Sequence, residues 1–539
     1  MSSTDGSASE WGSLILFALL AAALMVYPIL RAFSGVEVSY NEGWNVYNAA
    51  AADHHLPLYT QKFGWTTVNY PVLSFYAAAW LHRTGLSYLT AGRILSLVSL
   101  PLSCLLIGLV VWRFSRDWRA ALFSGLFCSS VFCIVANEYI GAADPQLFAQ
   151  LFFLSGFLLY ISGAPSFWRL ALTALLFVLG GSIKHNLVEF PLAVLIDLAF
   201  VGRKRFLQYL AVSTTLLCAT IYINIIVGGP FFVSNILSPR LYSLKKAILQ
   251  FLEYGFGVIP LAMIAAIIWS ATAIKNKNLR VLAVLFLASM FVGSLSGGGI
   301  GVWVNSYFDI YLSISMITGL IMHQVWHGEI GSRRLLAAHA IPLALIICFV
   351  PTWMAGPPLF YKAIAALSQK QSQFQSEVSF LRAHPGPAFC ESLLRCYEAG
   401  KAYEYDPFNS ANLVKLGKLD PANLIDRLNR GELSTVQLCC SIDFLKQDDD
   451  PAVIRQILPA LDASYKLGLA HDGCYIYVPR TSELSSSAGK GGTFRHRSLI
   501  NSSINNSPIA WRRGSGLAPG APPFAGPLPA TVFTSSRLC

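Results

Sequence analysis

The sequence predicts an α-helical polytopic membrane protein of about 11 transmembrane helices, followed by a small C-terminal α/β domain outside the membrane. Three observations carry that prediction. Apolar residues make up 54% of the 539-residue chain and charged residues only 12%, against roughly 25% charged in a soluble domain. The apolar residues fall in runs of about 20, the length at which a helix crosses a bilayer. The composition then changes twice, to ordinary charge density near Lys362 and to Ser, Gly, Pro and Asn from Thr481.

Residues 1–10 are polar and expected to be disordered. The first span is 11–30. It has no basic segment ahead of it and no small-residue cleavage site behind it, so it is expected to remain as a helix rather than be removed. A long outer loop, 34–92, follows. Its half-apolar piece 72–81 is too short to cross and is expected to lie at the interface. Spans two to four are 93–112, 118–136 and 146–162. Segments 167–181 and 187–200 form an apolar hairpin interrupted by Lys184, His185 and Asn186. Such interruptions are tolerated only inside protein or in a wet cavity. The remaining spans are 206–227, 254–274, 281–295, 307–325 and 335–353.

The net charge of +11 does not signal nucleic acid, because the Lys and Arg are spread over short loops. Arg113, Arg116 and Arg119, then Arg203, Lys204 and Arg205, then Lys275, Lys277 and Arg280, then Arg333 and Arg334 all fall on one side. The positive-inside rule makes that side cytoplasmic. The loops 34–92, 137–145, 228–253 and 297–306 then face outward, together with the carboxyl terminus. The expected location is the inner (plasma) membrane, with the C-terminal domain extracytoplasmic.

Residues 362–480 are expected to form that domain, with helices at 372–383, 421–430 and 451–466 and strands at 435–442 and 473–478. The tail 481–539 cannot bury enough surface to offset its ordering entropy and is expected to be unfolded. Cys390 and Cys396 are spaced to form either a disulfide or two free thiols, and no cysteine cluster has structural-zinc spacing.

The chemistry falls to the outward segments. Glu42 follows the first span, and Asp144 precedes Pro145 at the start of the fourth, where it is also a natural cap. Asn305 and Asp309 open span ten with the same capping alternative, and loop 228–253 offers Arg240, Lys245 and Lys246. For the two lysines, snorkelling to the interface is the plain alternative. Carboxylates, cations and aromatic rings at one membrane face are what transfer chemistry on an anionic lipid needs. A cation stabilises the leaving phosphate, a carboxylate takes a proton from the attacking hydroxyl, and rings hold a sugar or a prenyl chain.

Asn41-Glu42-Gly43 followed by Tyr47, Ala49-Ala50, Pro57-Leu58-Tyr59, Asn69-Tyr70-Pro71 and Gly92-Arg93 resembles the first outer loop of polyprenyl-phosphate-dependent glycosyltransferases of the GT-C type. These are the bacterial relatives of protein O-mannosyltransferases and lipid A aminoarabinose transferases. The resemblance covers residues 11–353 and implies a GT-C-like membrane domain over 11–361. In that family an acidic residue after the first span and another in the next outer loop lie in the active site. By resemblance these are Glu42 and Asp144. The aminoarabinose transferases carry a Glu-Lys-Pro-Pro motif whose lysine meets the lipid phosphate. Here the place is taken by Asn69-Tyr70-Pro71-Val72, so Arg240, Lys184 or Lys62 must supply the charge. The first motif is Asn41-Glu42 where many relatives have Asp-Glu.

The implied reaction moves a hexosyl or pentosyl group from a polyprenyl-phosphate sugar donor to a hydroxyl of a lipid, glycan or protein acceptor, with inversion. Glu42 is the expected base, and Asp144 positions the acceptor or a divalent cation. Arg240 and Lys184 meet the phosphate, and His185, Lys62, Asn69, Tyr70, Asn305 and Asp309 complete the substrate site. No metal-ligand set and no other cofactor is assigned. A transporter or flippase is the competing class, but the inverted repeats of transporters are not visible in the chain. A scaffold presenting the C-terminal domain leaves Glu42 and Asp144 unexplained.

Overall fold

A computed structural model describes residues 8–327, 361–447, 454–471 and 473–480. The expected span at 335–353, the tail from 481 and most of the N-terminal segment lie outside the described residues. Residues up to Pro479 form one compact unit.

Ten of the expected spans are helices. The chain runs through α1 (Ala8–Ala32), then α2 (Tyr40–Asp53) and α3 (Leu73–His82) in the outer loop, then α4 (Tyr88–Ser115) and α5 (Trp118–Val135). It continues with α6 (Gln146–Ile161), α7 (Phe167–Ile183), α8 (Glu189–Val201) and α9 (Arg203–Gly228). The short helices α10 (Phe232–Ile236) and α11 (Leu244–Gln250) lead to α12 (Pro260–Ala273), α13 (Arg280–Ser296) and α14 (Phe308–Trp326). Among the described residues five helices are long and apolar enough to cross a bilayer alone, and the pair Leu244–Phe256 with Pro260–Ala273, bent by 92°, is either a sixth, broken span or a re-entrant loop. The rest are shorter than the sequence count of about 11 spans supposed. A helix of 17 residues, such as α7, is only about 26 Å long, against a hydrocarbon core of about 30 Å.

Lipid offers no hydrophobic drive between helices, so close packing must hold them together. α4 and α5 meet where Gly125 lies against the Cys104 carbonyl, and a Cβ there would sit 2.8 Å from that oxygen. Phe17 of α1 packs edge-on against Phe123 of α5 at 5.1 Å. α14 is the central helix, with most of its surface inside the protein, whereas α9 turns nearly all of its apolar surface outward.

Beyond 360 the chain forms α15 (361–383), β1 (Ala388–Cys390), α16 (Leu393–Glu398), α17 (Pro407–Lys415) and α18 (Ala422–Asn429). Then come β2 (Thr435–Leu438), α19 (Ile442–Gln447), α20 (Leu458–Ser464), β3 (Tyr465–His471) and β4 (Cys474–Pro479). The sheet order is β1-β2-β4-β3. β1 runs parallel to β2, and the other pairs are antiparallel. β2 and β4 lie where strands were expected. The helix expected over 451–466 instead stops at Ser464, where the chain extends into β3 and pairs with β4. β1 was not foreseen, since three buried residues carry no alternation to detect.

This segment is seated directly on the outer loop. Gly43 of α2 lies so close to α16 that a Cβ would be 2.1 Å from the Leu394 nitrogen, so only glycine fits there. Glu37 accepts from the Ser392 hydroxyl and from Arg395 Nη1 at 3.3 Å. Cys390 and Cys396 form a disulfide that links β1 to α16.

Candidate active site

The first turn of α2 decides which residues reach the site. Glu42 is fully buried, and all four of its acceptor directions are used. Arg93 of α4 donates Nε to Oε1 and Nη2 to Oε2, each at 2.7 Å. The Val38 and Ala143 backbone N–H groups donate at 2.6 and 2.9 Å. Arg93 is equally saturated, with its remaining N–H groups on the carbonyls of Arg31, Ser34 and Val36. The pair fastens α2 to α4 and to the end of α1. Glu42, expected as the base, thus holds no free lone pair in this structure.

One position earlier, Asn41 points the other way, into a cavity of about 400 Å³. Each segment expected to face outward contributes to its wall: Asn41, Trp44, Asn69 and Tyr70 from loop 34–92, Tyr139, Arg240 and Tyr242, and Asn305, together with Lys184 to Asn186. Phe408 and Asn409 of α17 close it from the C-terminal segment. Loops 228–253 and 297–306 are paired there, with Ser243 N donating to Gly298 O and Ile300 N to Leu241 O, both at 2.9 Å. Lys246 fixes the pairing by donating to the carbonyls of Gly299 and Val302 at 2.6 and 3.0 Å, so it does not simply snorkel.

Asp144 lies just behind this wall and is buried. Its Oδ1 accepts from Gln146 N at 2.9 Å, the cap expected at the start of α6, and from Lys184 Nζ at 3.3 Å. Its Oδ2 accepts from Asn41 Nδ2 at 3.3 Å. Both side chains that screen Asp144 from the cavity, Asn41 and Lys184, themselves line it. Lys184 also stands over the Tyr70 ring, 4.9 Å from its centroid, a cation–π contact. Trp44 meets Tyr70 edge-on at 5.0 Å.

Arg240 is an exposed cation in the wall. His185 beside it has a buried Nδ1 without a hydrogen-bond partner. Burial pushes His185 down to about 4, with help from the Arg240 and Lys184 charges, so its imidazole is neutral at physiological pH. Asn69 Nδ2 donates to Asn409 Oδ1 at 3.4 Å, and Asn305 exchanges hydrogen bonds with the Gln146 side chain. Two expected residues are elsewhere. Lys62 is exposed over Phe63 at 5.2 Å and lines no part of the cavity. Asp309 is buried in the first turn of α14, where it accepts from Gln150.

Sequence reasoning missed Asn41, Trp44, Tyr139, Tyr242, Phe408 and Asn409. The signal for the α17 residues was present. Asp406-Pro407 is a helix-start signature, and Asp406 does cap α17 through Asn409 N at 2.9 Å while accepting from the Tyr40 hydroxyl.

The arrangement belongs to a known architecture. The chain has the GT-C fold of membrane glycosyltransferases that the outer-loop motifs imply. Among solved structures it is similar to ArnT from Cupriavidus metallidurans in the apo state, with TM-score 0.55 and 11% identity over 86% of this chain and 97% of that one. The same protein bound to undecaprenyl phosphate aligns with TM-score 0.53 and 12% identity over 90% of this chain and 100% of that one. At such identities the likeness is one of fold. No family model matches this chain, and no curated protein matches it in sequence.

Proposed function

We propose that this protein is a membrane glycosyltransferase that moves a sugar from a polyprenyl-phosphate donor to an acceptor hydroxyl at the outer face of the inner membrane, with inversion. The observation that carries the reading is the cavity. It brings an exposed Arg240, the Lys184–Asp144 pair and the rings of Trp44, Tyr70 and Tyr139 to one place. The fold, shared with a protein solved with undecaprenyl phosphate bound, supports a lipid phosphate as the anion. The Cys390–Cys396 disulfide supports an oxidising, extracytoplasmic side for the C-terminal segment.

In this mechanism the donor phosphate meets Arg240 and draws Lys184 away from Asp144. The 3.3 Å contact between Lys184 and Asp144 is long enough to be shared. Asp144, freed of its cation, becomes the better base and takes the acceptor proton at Oδ2 as the hydroxyl attacks the anomeric carbon. The bond to the phosphate oxygen breaks, and Arg240 and Lys184 stabilise the leaving polyprenyl phosphate. Neutral His185 adds no repulsion to the cationic phosphate site. Asp144 thus takes the role that the sequence assigned to Glu42. Incubating the purified protein with a panel of polyprenyl-phosphate sugars tests this. Release of polyprenyl phosphate from one donor is expected. Failure of every donor to be consumed, by protein that binds polyprenyl phosphate, overturns the reading.

A further inference from the structure

At the end of the helices away from the cavity, three side chains from two elements converge. α14 ends in His323-Gln-Val-Trp-His327, and the i,i+4 spacing turns both imidazoles to one side. The tight α4–α5 turn, with Arg116 in the left-handed region at φ 56°, brings Asp117 against them. Asp117 uses Oδ1 to cap α5, accepting from Arg119 N at 2.9 Å. Its Oδ2 is left facing α14, 3.1 Å from His323 Nδ1 and 3.7 Å from His327 Nδ1. The two imidazole centroids are 4.4 Å apart.

We propose that Asp117, His323 and His327 form a binding site for a divalent transition-metal ion such as Zn²⁺. One ligand atom from each residue lies within 4.8 Å of the others. A zinc ion with bonds of about 2.0–2.1 Å holds tetrahedral ligands about 3.3 Å apart, so a small closure completes the set. Two imidazoles and one carboxylate suit Zn²⁺ and its neighbours, whereas Mg²⁺ and Ca²⁺ take oxygen ligands. The fourth position is open to water, as in three-ligand zinc sites. The nearby cations are engaged: Arg119 pairs with Glu10 at 2.8 Å, and Arg116 stacks over Trp112 at 5.0 Å.

The 19-residue α14 puts about 28 Å between this cluster and the cavity, so the ion takes no part in transfer chemistry. It clamps the α4–α5 turn to the end of the central helix. The alternative occupant is nothing at all, with His323 hydrogen-bonding Asp117 at 3.1 Å and His327 Nδ1 donating to the His323 carbonyl at 3.0 Å.

The experiment is a Zn²⁺ titration by calorimetry of the full-length protein in detergent after chelator treatment, repeated on His323→Ala, His327→Ala and Asp117→Asn. Asparagine keeps the α5 cap, so Asp117→Asn tests ligation without unfolding the turn. One saturable site is expected in the wild type. Each substitution should weaken it by at least the roughly 10–100-fold that loss of a supporting outer contact costs a metal site. Co²⁺ should give a visible absorption band that is absent in His327→Ala. No saturable uptake by the wild type, or equal uptake by wild type and all three variants, overturns the proposal. The second result would assign the ion to other histidines such as His54 and His55.

Discussion

Two carboxylate–cation pairs are buried within the same few turns of the molecule, and they are built in opposite ways. Glu42–Arg93 is closed: every donor and acceptor is matched at short range, and neither side chain reaches the cavity. Asp144–Lys184 is open: one contact at 3.3 Å, one loosely held oxygen, and a buried cation that lines the cavity. A saturated pair fixes geometry and has nothing left for a ligand. An unsaturated pair beside a cavity is a candidate for binding or reaction. In the proposed mechanism the same residue chemistry serves architecture in one place and reaction in the other.

The strongest way to break this comparison is Glu42→Gln. Removing one partner of a buried pair leaves the other charge uncompensated and typically costs about 3–5 kcal/mol. The detergent-solubilised variant should lose much of its thermal stability, while turnover per folded molecule stays near wild type. A stable variant with abolished turnover would restore Glu42 as the base. Asp144→Asn should do the reverse. Turnover should fall by roughly 10²–10⁴-fold, about 3–5 kcal/mol of barrier, with a smaller loss of thermal midpoint than Glu42→Gln, because asparagine keeps the cap on Gln146 and the 3.3 Å contact it weakens to the buried Lys184 is the looser of the two pairs. Wild-type turnover in this variant would remove Asp144 from the chemistry.

These two substitutions also mark where the sequence was legible. The apolar segments were visible because their runs are long, and ten of them appear as helices, though not all are long enough to cross a bilayer alone. That loops 34–92, 137–145, 228–253 and 297–306 meet at one end of the helices agrees with counting basic loops. What the chain could not reveal was which member of Asn41-Glu42 faces the cavity. Neighbours on a helix point about 100° apart, so a one-residue error swaps a wall residue for an anchor. Asp309 and Lys62 misled for a related reason. Polar residues near span ends look alike in sequence whether they line a cavity, brace a helix as Asp309 does, or meet solvent as Lys62 does.

A smaller effect sharpens the phosphate side of the comparison. Arg240 has no partner to lose among the described residues, so Arg240→Ala should leave stability unchanged. It should weaken donor binding by roughly tenfold to a hundredfold, since a charged hydrogen bond contributes about 1.5–3 kcal/mol. Raised donor KM with unchanged kcat is the expected signature. An unchanged KM would move the phosphate to Lys184 alone.

The smallest effect concerns a third carboxylate, intermediate between the two pairs. Glu37 accepts from Ser392 and Arg395, but Arg395 also donates to Glu377 at 2.6 Å. Its charge is divided and does not offset the burial of Glu37. Burial pushes Glu37 from 4.5 up to about 7. The folded protein therefore holds this proton where the unfolded chain has released it. Below about pH 4.5 the group is neutral in both states and adds no cost; as pH rises toward about 7 the unfolded chain ionises first and stability falls. Above about 7 the whole penalty is present, reduced by the partial exposure of the side chain. Glu37→Gln stays neutral throughout. Its thermal midpoint should match the wild type in acid and exceed it modestly at alkaline pH. The readout is thermal unfolding across that range, and parallel curves for the two proteins would mean that Arg395 fully compensates Glu37, making it a second closed pair.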